Sequence, residues 1–243
     1  MNLLILGGNS DVAYALARLF AERAGAGIVL ASRNLELLDK KAKDLEIRYN
    51  QSVRAVYFDA ADTDTHREFY DSLNPKPDGV VAAFGYLGDQ GRAQSDFQEA
   101  QQIIQTNFIG AVSILEIVAA DFEKRGQGVI VGMGSVAGER GRQNNYIYGA
   151  AKGAFNIYLS GLRSRLSKRR VHVMTVLPGF MDTKMTRKMK LPGLLTATPE
   201  QAAADIFNAF NNSKEVVYTR WFWRWIMAVI KVIPESIFKR LSL

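Results

Sequence analysis

The segment Tyr148-Gly149-Ala150-Ala151-Lys152 sets a phenol four residues before an ammonium, a spacing that brings both side chains to one face of a helix, one turn apart. A neighbouring cation stabilises a phenolate, so the Tyr148 pKa is expected to fall toward the range of a working acid. Such a pair can give a proton to a carbonyl oxygen while hydride arrives at the carbon. Ser135 ends the run Gly132-Met133-Gly134-Ser135, thirteen residues before Tyr148, and can hold the same oxygen by hydrogen bond. Tyr146 competes for the acid's role, but Ala150 stands four residues beyond it, so no lysine shares its face.

A hydride needs a carrier, and the N-terminal residues offer a place for one. Leu3–Leu6 followed by Gly7, Gly8, Asn9, Ser10, Asp11, Val12 and Ala13 reads as a strand, a glycine turn and the first turn of a helix. In a doubly wound sheet, backbone amides and the helix dipole receive a pyrophosphate there. Asp11 and Ala13 stand where further glycines would complete the fingerprint, and a plain tight turn fits the same residues. At the end of the second strand, Ser32-Arg33 offers a guanidinium and no carboxylate. That suits a ribose 2′-phosphate, a solvated surface cation being the other reading. Asp59, followed by Ala60, can accept from an adenine amino group or cap a turn.

These residues must be positioned by elements. Apolar runs recur at Leu3–Leu6, Ile28–Ala31, Val53–Phe58, Gly79–Ala83, Val129–Met133, Val171–Leu177 and Val216–Thr219. Helical spacing fills Asp11–Arg23, Leu35–Ile47, Asp64–Leu73, Phe97–Lys124, Tyr146–Leu166 and Pro199–Phe210. Seven strands alternating with helices predict an α/β fold, one doubly wound parallel sheet covered on both faces. Thr198-Pro199-Glu200-Gln201 reads as a capping threonine, a first-turn proline and a capping-box glutamine. The insertion Phe180–Ala197 carries Met181, Met185 and Met189 at four-residue spacing, a soft stripe for a lid helix that is either core or lipid channel.

The chain's 243 residues are 48% hydrophobic and 23% charged, a globular balance that excludes disorder and collagen and suits one domain over 1–219 with an extension over 220–243. With no cysteine, disulfides, thiolate metal sites and a cysteine nucleophile are excluded. With only His66 and His172, no metal site is expected. A net charge of +7 points to phosphate or an anionic surface as partner, and no nucleic-acid partner is expected. The N-terminus lacks a basic leader, so a cytoplasmic location is expected. No uninterrupted apolar run reaches the ~18 residues of a membrane span. From Trp221 onward, three tryptophans within five residues are flanked by Arg220, Arg224, Lys231, Lys239 and Arg240. That suits an amphipathic helix over 221–243 lying peripherally on the inner face of the cell membrane, the alternative being a subunit contact.

Together these residues resemble the short-chain dehydrogenase/reductase family over residues 3 to about 219. The resemblance implies a Rossmann-like domain, NADP(H) as cofactor, and a homodimer or homotetramer. It makes Ser135, Tyr148 and Lys152 the catalytic set, with Asn107 in Thr106-Asn107-Phe108-Ile109-Gly110 completing a proton relay. Pro178-Gly179 with Thr183 matches the family's nicotinamide loop. Ala82-Ala83-Phe84-Gly85 stands where the family has Asn-Asn-Ala-Gly, so a structural asparagine is missing while Ala83, Phe84 and Gly85 still border the cofactor. By the same topology Arg140, Arg142, Lys184 and Arg187 border the substrate mouth and suit a phosphodiester headgroup, or belong to a solvated lid.

Three segments narrow the resemblance: Ala83 to Asp89, Ser135 to Arg142 and Ile233 to Leu241 look like decaprenylphosphoryl-2-keto-ribose reductases. The implied reaction is reduction of the 2-keto group of a polyprenyl-phosphate-linked pentose for the cell envelope, after a flavin-dependent sugar oxidase partner has acted. The alternatives are a reductase of a soluble ketone or 3-ketoacyl thioester, a non-catalytic NADP-binding sensor, or a membrane-surface scaffold. The intact Asn107, Ser135, Tyr148 and Lys152 speak against the last two.

Overall fold

Four consecutive buried apolar residues in Asn2–Leu6 make β1 a central strand, since alternate side chains must satisfy both faces of a sheet. The computed structural model describes residues 1–187 and 191–241. In chain order it runs through α1 (Asp11–Ala24), β2 (Gly27–Ser32), α2 (Leu35–Tyr49), β3 (Val53–Tyr57), α3 (His66–Ser72) and β4 (Gly79–Ala82). It continues with α4 (Gln90–Ser95), α5 (Phe97–Ile104), α6 (Gly110–Arg125), β5 (Gly128–Met133), α7 (Tyr146–Leu166) and β6 (Val171–Pro178). The last elements are β7 (Phe180–Met181), β8 (Thr196–Ala197), α8 (Pro199–Asn211), β9 (Val216–Thr219), α9 (Trp223–Val232) and α10 (Glu235–Phe238).

Seven strands form one sheet in the order β3-β2-β1-β4-β5-β6-β9, and every neighbouring pair is parallel. Leu3 and Ile5 face one layer with Leu16 and Phe20 of α1 and Ile206 and Phe207 of α8. Leu4 and Leu6 face the other, with Ile114, Leu115 and Phe122 of α6 and Phe155 and Leu159 of α7. Each such Leu, Ile or Phe contributes about 1.5–3 kcal/mol on burial, so these layers outweigh any single cap. The expected α/β doubly wound architecture is the one observed. The capping box at the start of α8 also forms: Thr198 accepts from the Gln201 amide and Gln201 reaches back to the Thr198 amide.

Register aligns the carboxyl ends of the strands. Leu6 pairs with Ala31 on one side and Ala82 on the other, Ala82 with Gly132, and Pro178 with Thr219. In such a sheet the crevice outside these ends is where ligands bind.

Two expectations need correction. The single helix expected over Phe97–Lys124 is broken by a wider π turn at Gln105–Ile109 between α5 and α6. The joined stretch Phe97–Arg125 is long and apolar enough to cross a membrane by mean composition, although polar residues interrupt it and no apolar run in it reaches ~18 residues. Here Ile114, Leu115, Val118 and Phe122 pack against the sheet, as in a core helix. The methionine-striped lid helix does not form over the described part of the insertion: β7 pairs with β8, and residues 183–187 make a turn. Met181 and Met185 border the crevice, while Met189 lies outside the described residues, as do Lys188 and Lys190.

Candidate active site

At the turn after β1, Gly7 has φ +86°, and a β-carbon there would stand 2.6 Å from the Phe84 amide nitrogen. Only glycine lets the βα turn come this close to the β4 loop. Ser10 precedes α1 without capping it through its side chain, so the first amides of that helix stay open toward an anion. Gly7, Asn9, Ser10, Asp11 and Val12 line one end of a cleft across the carboxyl ends of the strands. Arg33, Asp59 and Ala60 line the adjoining part, and Ala83, Phe84 and Gly85 its floor. Tyr148, Lys152 and Pro178 line its other end, and Thr183 and Lys184 also border it.

The residues present fit a dinucleotide. The Asn9 side chain donates to Ser32 Oγ at 3.2 Å and to the Asn34 carbonyl at 2.9 Å, while its buried Oδ1 has no partner among the described residues. Arg33 is exposed beside it, with no acidic partner among the described residues. Asp59 Oδ1 accepts from the Ala61 amide at 2.9 Å, which fixes its carboxylate at the cleft wall. A group that sequence reasoning missed adds to this end: Lys41 Nζ donates to the Asn9 carbonyl at 3.0 Å and to that of Gly8 at 3.3 Å. Burial pushes its ammonium down to about 8, helped by the charge of Lys184. Nothing in the helical spacing of α2 distinguishes Lys41 from the neighbouring solvated lysines.

Asp11, which read as a liability beside phosphate, is engaged. It accepts from the Lys184 amide at 2.9 Å, and the Lys184 ammonium lies 3.7 Å from its other oxygen. The turn 183–187 is thereby tied to the start of α1. Thr183 is held within that turn through Thr186.

Asn107, Ser135, Tyr148 and Lys152 converge at the other end. Ser135 closes the loop after β5; its Oγ accepts from the Ala137 amide at 3.0 Å, and its side chain stands beside Tyr148. Lys152 is buried, and its ammonium donates to the Met133 carbonyl at 2.9 Å. Asn107 lies in the π turn, where its Nδ2 donates to the carbonyls of Tyr86 at 2.6 Å and Ile103 at 2.8 Å. Its Oδ1 and the Lys152 ammonium both face the open side of Gly85, 3.0 and 3.6 Å from where a β-carbon would stand.

The electrostatics differ from the expectation. Burial pushes the Tyr148 phenol up to about 12, the hydrogen bond from Ser135 pulling the other way, and burial pushes Lys152 down to about 8. Desolvation thus outweighs the attraction between the pair, and the tyrosine keeps its proton at neutral pH. That is the form a proton donor needs.

The cations assigned to the substrate are dispersed. Arg140 donates to the carbonyls of Lys231 and Ile233, both at 3.2 Å, and pairs with Glu235 at 2.7 Å. Arg142 is buried, with Nη2 3.4 Å from the Met227 sulfur. Both guanidiniums hold the C-terminal chain instead of facing the cleft. Lys184 meets Asp11, and Arg187 remains exposed on its turn. Gly179 is pressed against the Trp223 indole, whose nitrogen donates to the Leu195 carbonyl at 3.2 Å. Among the described residues no group of three His, Asp or Glu comes together to hold a metal.

A parallel sheet with a phosphate-type turn at one end of its crevice and a Ser-Tyr-Lys set at the other defines a nucleotide-dependent oxidoreductase. The comparisons agree. The short chain dehydrogenase family model matches residues 2–192. An uncharacterised oxidoreductase of Mycobacterium tuberculosis is 37% identical over 98% of this chain and 96% of its own, and one of Streptomyces coelicolor is 34% identical over 99% and 95%. Among solved structures, a short-chain dehydrogenase from Sphingobium yanoikuyae in complex with NADPH superposes with a TM-score of 0.81 at 22% identity, covering 97% of each chain. The chain belongs to the short-chain dehydrogenase/reductase family and is an NAD(P)-dependent oxidoreductase.

Proposed function

We propose that the protein is an NADPH-dependent ketone reductase, and that its ketone is the 2-keto group of a polyprenyl-phosphate-linked pentose. The observation that carries the reductase reading is the Ser135–Tyr148–Lys152 set, of which Tyr148 and Lys152 line the cleft, with the phenol held protonated. When bound, the reduced nicotinamide supplies the hydride. Tyr148 gives its proton to the ketone oxygen, Ser135 holds that oxygen by hydrogen bond, and Lys152 offers positive charge as the phenol loses its proton. Asn107 holds the Tyr86 backbone beside Lys152 and completes the polar end of the cleft. Gly7 and the open amides of α1 would receive the pyrophosphate, with Pro178, Gly179 and Thr183 beside the nicotinamide. Arg33 and Lys41 would favour the 2′-phosphate form of the cofactor.

The sugar-lipid substrate is supported by the likeness of the segments around Ala83, Ser135 and Ile233 to keto-ribose reductases, and by the apolar Met181 and Met185 at the cleft. Such a substrate implies a flavin-dependent oxidase acting before this protein, and a cytoplasmic enzyme that meets the inner face of the membrane. A homodimer or homotetramer accompanies this reading. A ketoacyl or soluble-ketone reductase is the competing reading: an NADP-dependent 3-hydroxy acid dehydrogenase of Schizosaccharomyces pombe is 27% identical over 88% of each chain. Oxidation of NADPH by the purified protein is the test, comparing a short-chain polyprenyl-phosphate keto-pentose, a 3-ketoacyl thioester and simple ketones. Preference for the thioester by kcat/KM overturns the sugar-lipid assignment and leaves the reductase standing.

A further inference from the structure

The C-terminal chain has two unlike faces. Trp223 and Met227 point inward, 2% and 0% exposed, and pack against Val136 and Leu177. Trp221, Trp225, Val229 and Val232 follow at steps of four, four and three residues and form one outward stripe, with the two tryptophans 68% and 63% exposed. Residues 220–241 hold five cations (Arg220, Arg224, Lys231, Lys239, Arg240) and one acid, Glu235, a net +4. Glu235 is taken up by Arg140. Arg224, Lys239 and Arg240 have no acidic partner among the described residues.

We propose that this outer stripe docks the protein, in plane, on an anionic phospholipid bilayer. Exposed tryptophan beside unpaired cations matches a headgroup layer over shallow hydrocarbon. A ten-residue helix is half the ~20 residues of a span, so it lies on the surface. A second copy fits poorly, because a two-fold contact would press this cationic patch against its own image. The inner face gives docking a consequence. Arg140 joins the loop after Ser135 to the carbonyls of Lys231 and Ile233, and Lys231 pairs with Glu139 at 2.6 Å. The helix that meets the bilayer therefore carries the catalytic loop on its back. The purpose of docking rests on the lipid-linked substrate proposed above, while the surface stands on its own residues.

Co-sedimentation of the full chain with vesicles of phosphatidylglycerol and phosphatidylcholine, against phosphatidylcholine alone, tests it. Binding is expected only to the anionic vesicles, weakened by salt, with tryptophan emission quenched by brominated lipid. Trp225→Glu with Val229→Glu should lower binding about tenfold or more and leave NADPH binding and simple-ketone turnover unchanged. A full chain that stays in the supernatant at low salt overturns docking, and so does a double variant whose sedimentation shows a broken oligomer with vesicle binding intact. Either failure, with turnover of a detergent-dispersed polyprenyl-phosphate ketone retained, removes the docking surface alone.

An independent observation concerns Asn156. It stands four residues beyond Lys152 and eight beyond Tyr148, on the same face of α7. Its Nδ2 donates to the Ser135 carbonyl at 3.1 Å, as Lys152 donates to that of Met133, so α7 holds the backbone on both sides of Gly134. A β-carbon at Gly134 would occupy the place of Asn156 Oδ1, and that oxygen is buried without a partner among the described residues. We infer that Asn156 is a positioning residue for Ser135. Asn156→Asp keeps the shape and replaces the donor by a carboxylate. It should lower kcat about tenfold with KM and cofactor affinity within about twofold, and shift the alkaline limb of the pH profile. An unchanged kcat per folded molecule and an unmoved profile, with only thermal stability lowered, reduce Asn156 to packing and overturn the inference.

Discussion

Lys184 meets Asp11 twice, through its amide at 2.9 Å and its ammonium at 3.7 Å, and so neutralises the one acid at the mouth of the phosphate turn. Lys184→Ala removes the ammonium and leaves that carboxylate with the backbone amide alone, and should weaken NADPH binding by about threefold, a modest loss because the pair is exposed. Asp11→Ala in the same chain should recover most of it. A double-mutant cycle on the cofactor Kd measures the coupling, and additive losses would show that the two side chains act separately.

Tyr148→Phe keeps the ring and removes the proton. Turnover should fall ~10²-fold or more, with cofactor affinity and the thermal midpoint near those of the parent. Near-normal turnover at saturating cofactor would remove Tyr148 from the acid's role.

Lys152 carries a folded-state pKa of about 8 against an ordinary 10.5, so between these values the unfolded chain holds the extra proton. Stability from this group therefore rises as pH rises through that window, and below about 8 the buried ammonium is a net cost. Lys152→Met should raise stability at neutral pH by about 1–3 kcal/mol and abolish the rise, while turnover is lost. In the parent, the reduction rate should decline as pH climbs through about 8, well below the range where Tyr148, near 12, ionises. Urea titrations and rate profiles across this range check both.

Arg33→Ala should reduce the preference for NADPH over NADH by roughly tenfold to a hundredfold, the worth of a charged hydrogen bond to a 2′-phosphate. Lys41→Ala tests the second cation at the same end. Equal cofactor affinities in the parent, followed by tryptophan fluorescence, would show that neither side chain reads the phosphate.

The seven strands were legible because each is a short apolar run with a glycine or polar break behind it, and the Ser135, Tyr148 and Lys152 set because its spacing is local to one loop and one helix. Arg140 and Arg142 misled for the opposite reason. Their partners in α9 and beyond lie 85 to 95 residues away, and no local pattern marks a guanidinium as spoken for. The Tyr148 pKa was read from its neighbour's charge, whereas burial of both groups decides it. The π turn at Asn107 replaces a helix that periodicity alone would continue, since a one-residue widening leaves hydrophobic spacing nearly intact.

The clasp between Arg140 and the C-terminal chain also sets an order of events during synthesis. Residues 135–142 leave the ribosome long before Lys231, Ile233 and Glu235, so the serine loop has no clasp until those residues have emerged. The sheet can close earlier on its own strands, but the loop of the reactive centre is clasped only afterwards, and its competence reports that the chain around α9 has arrived.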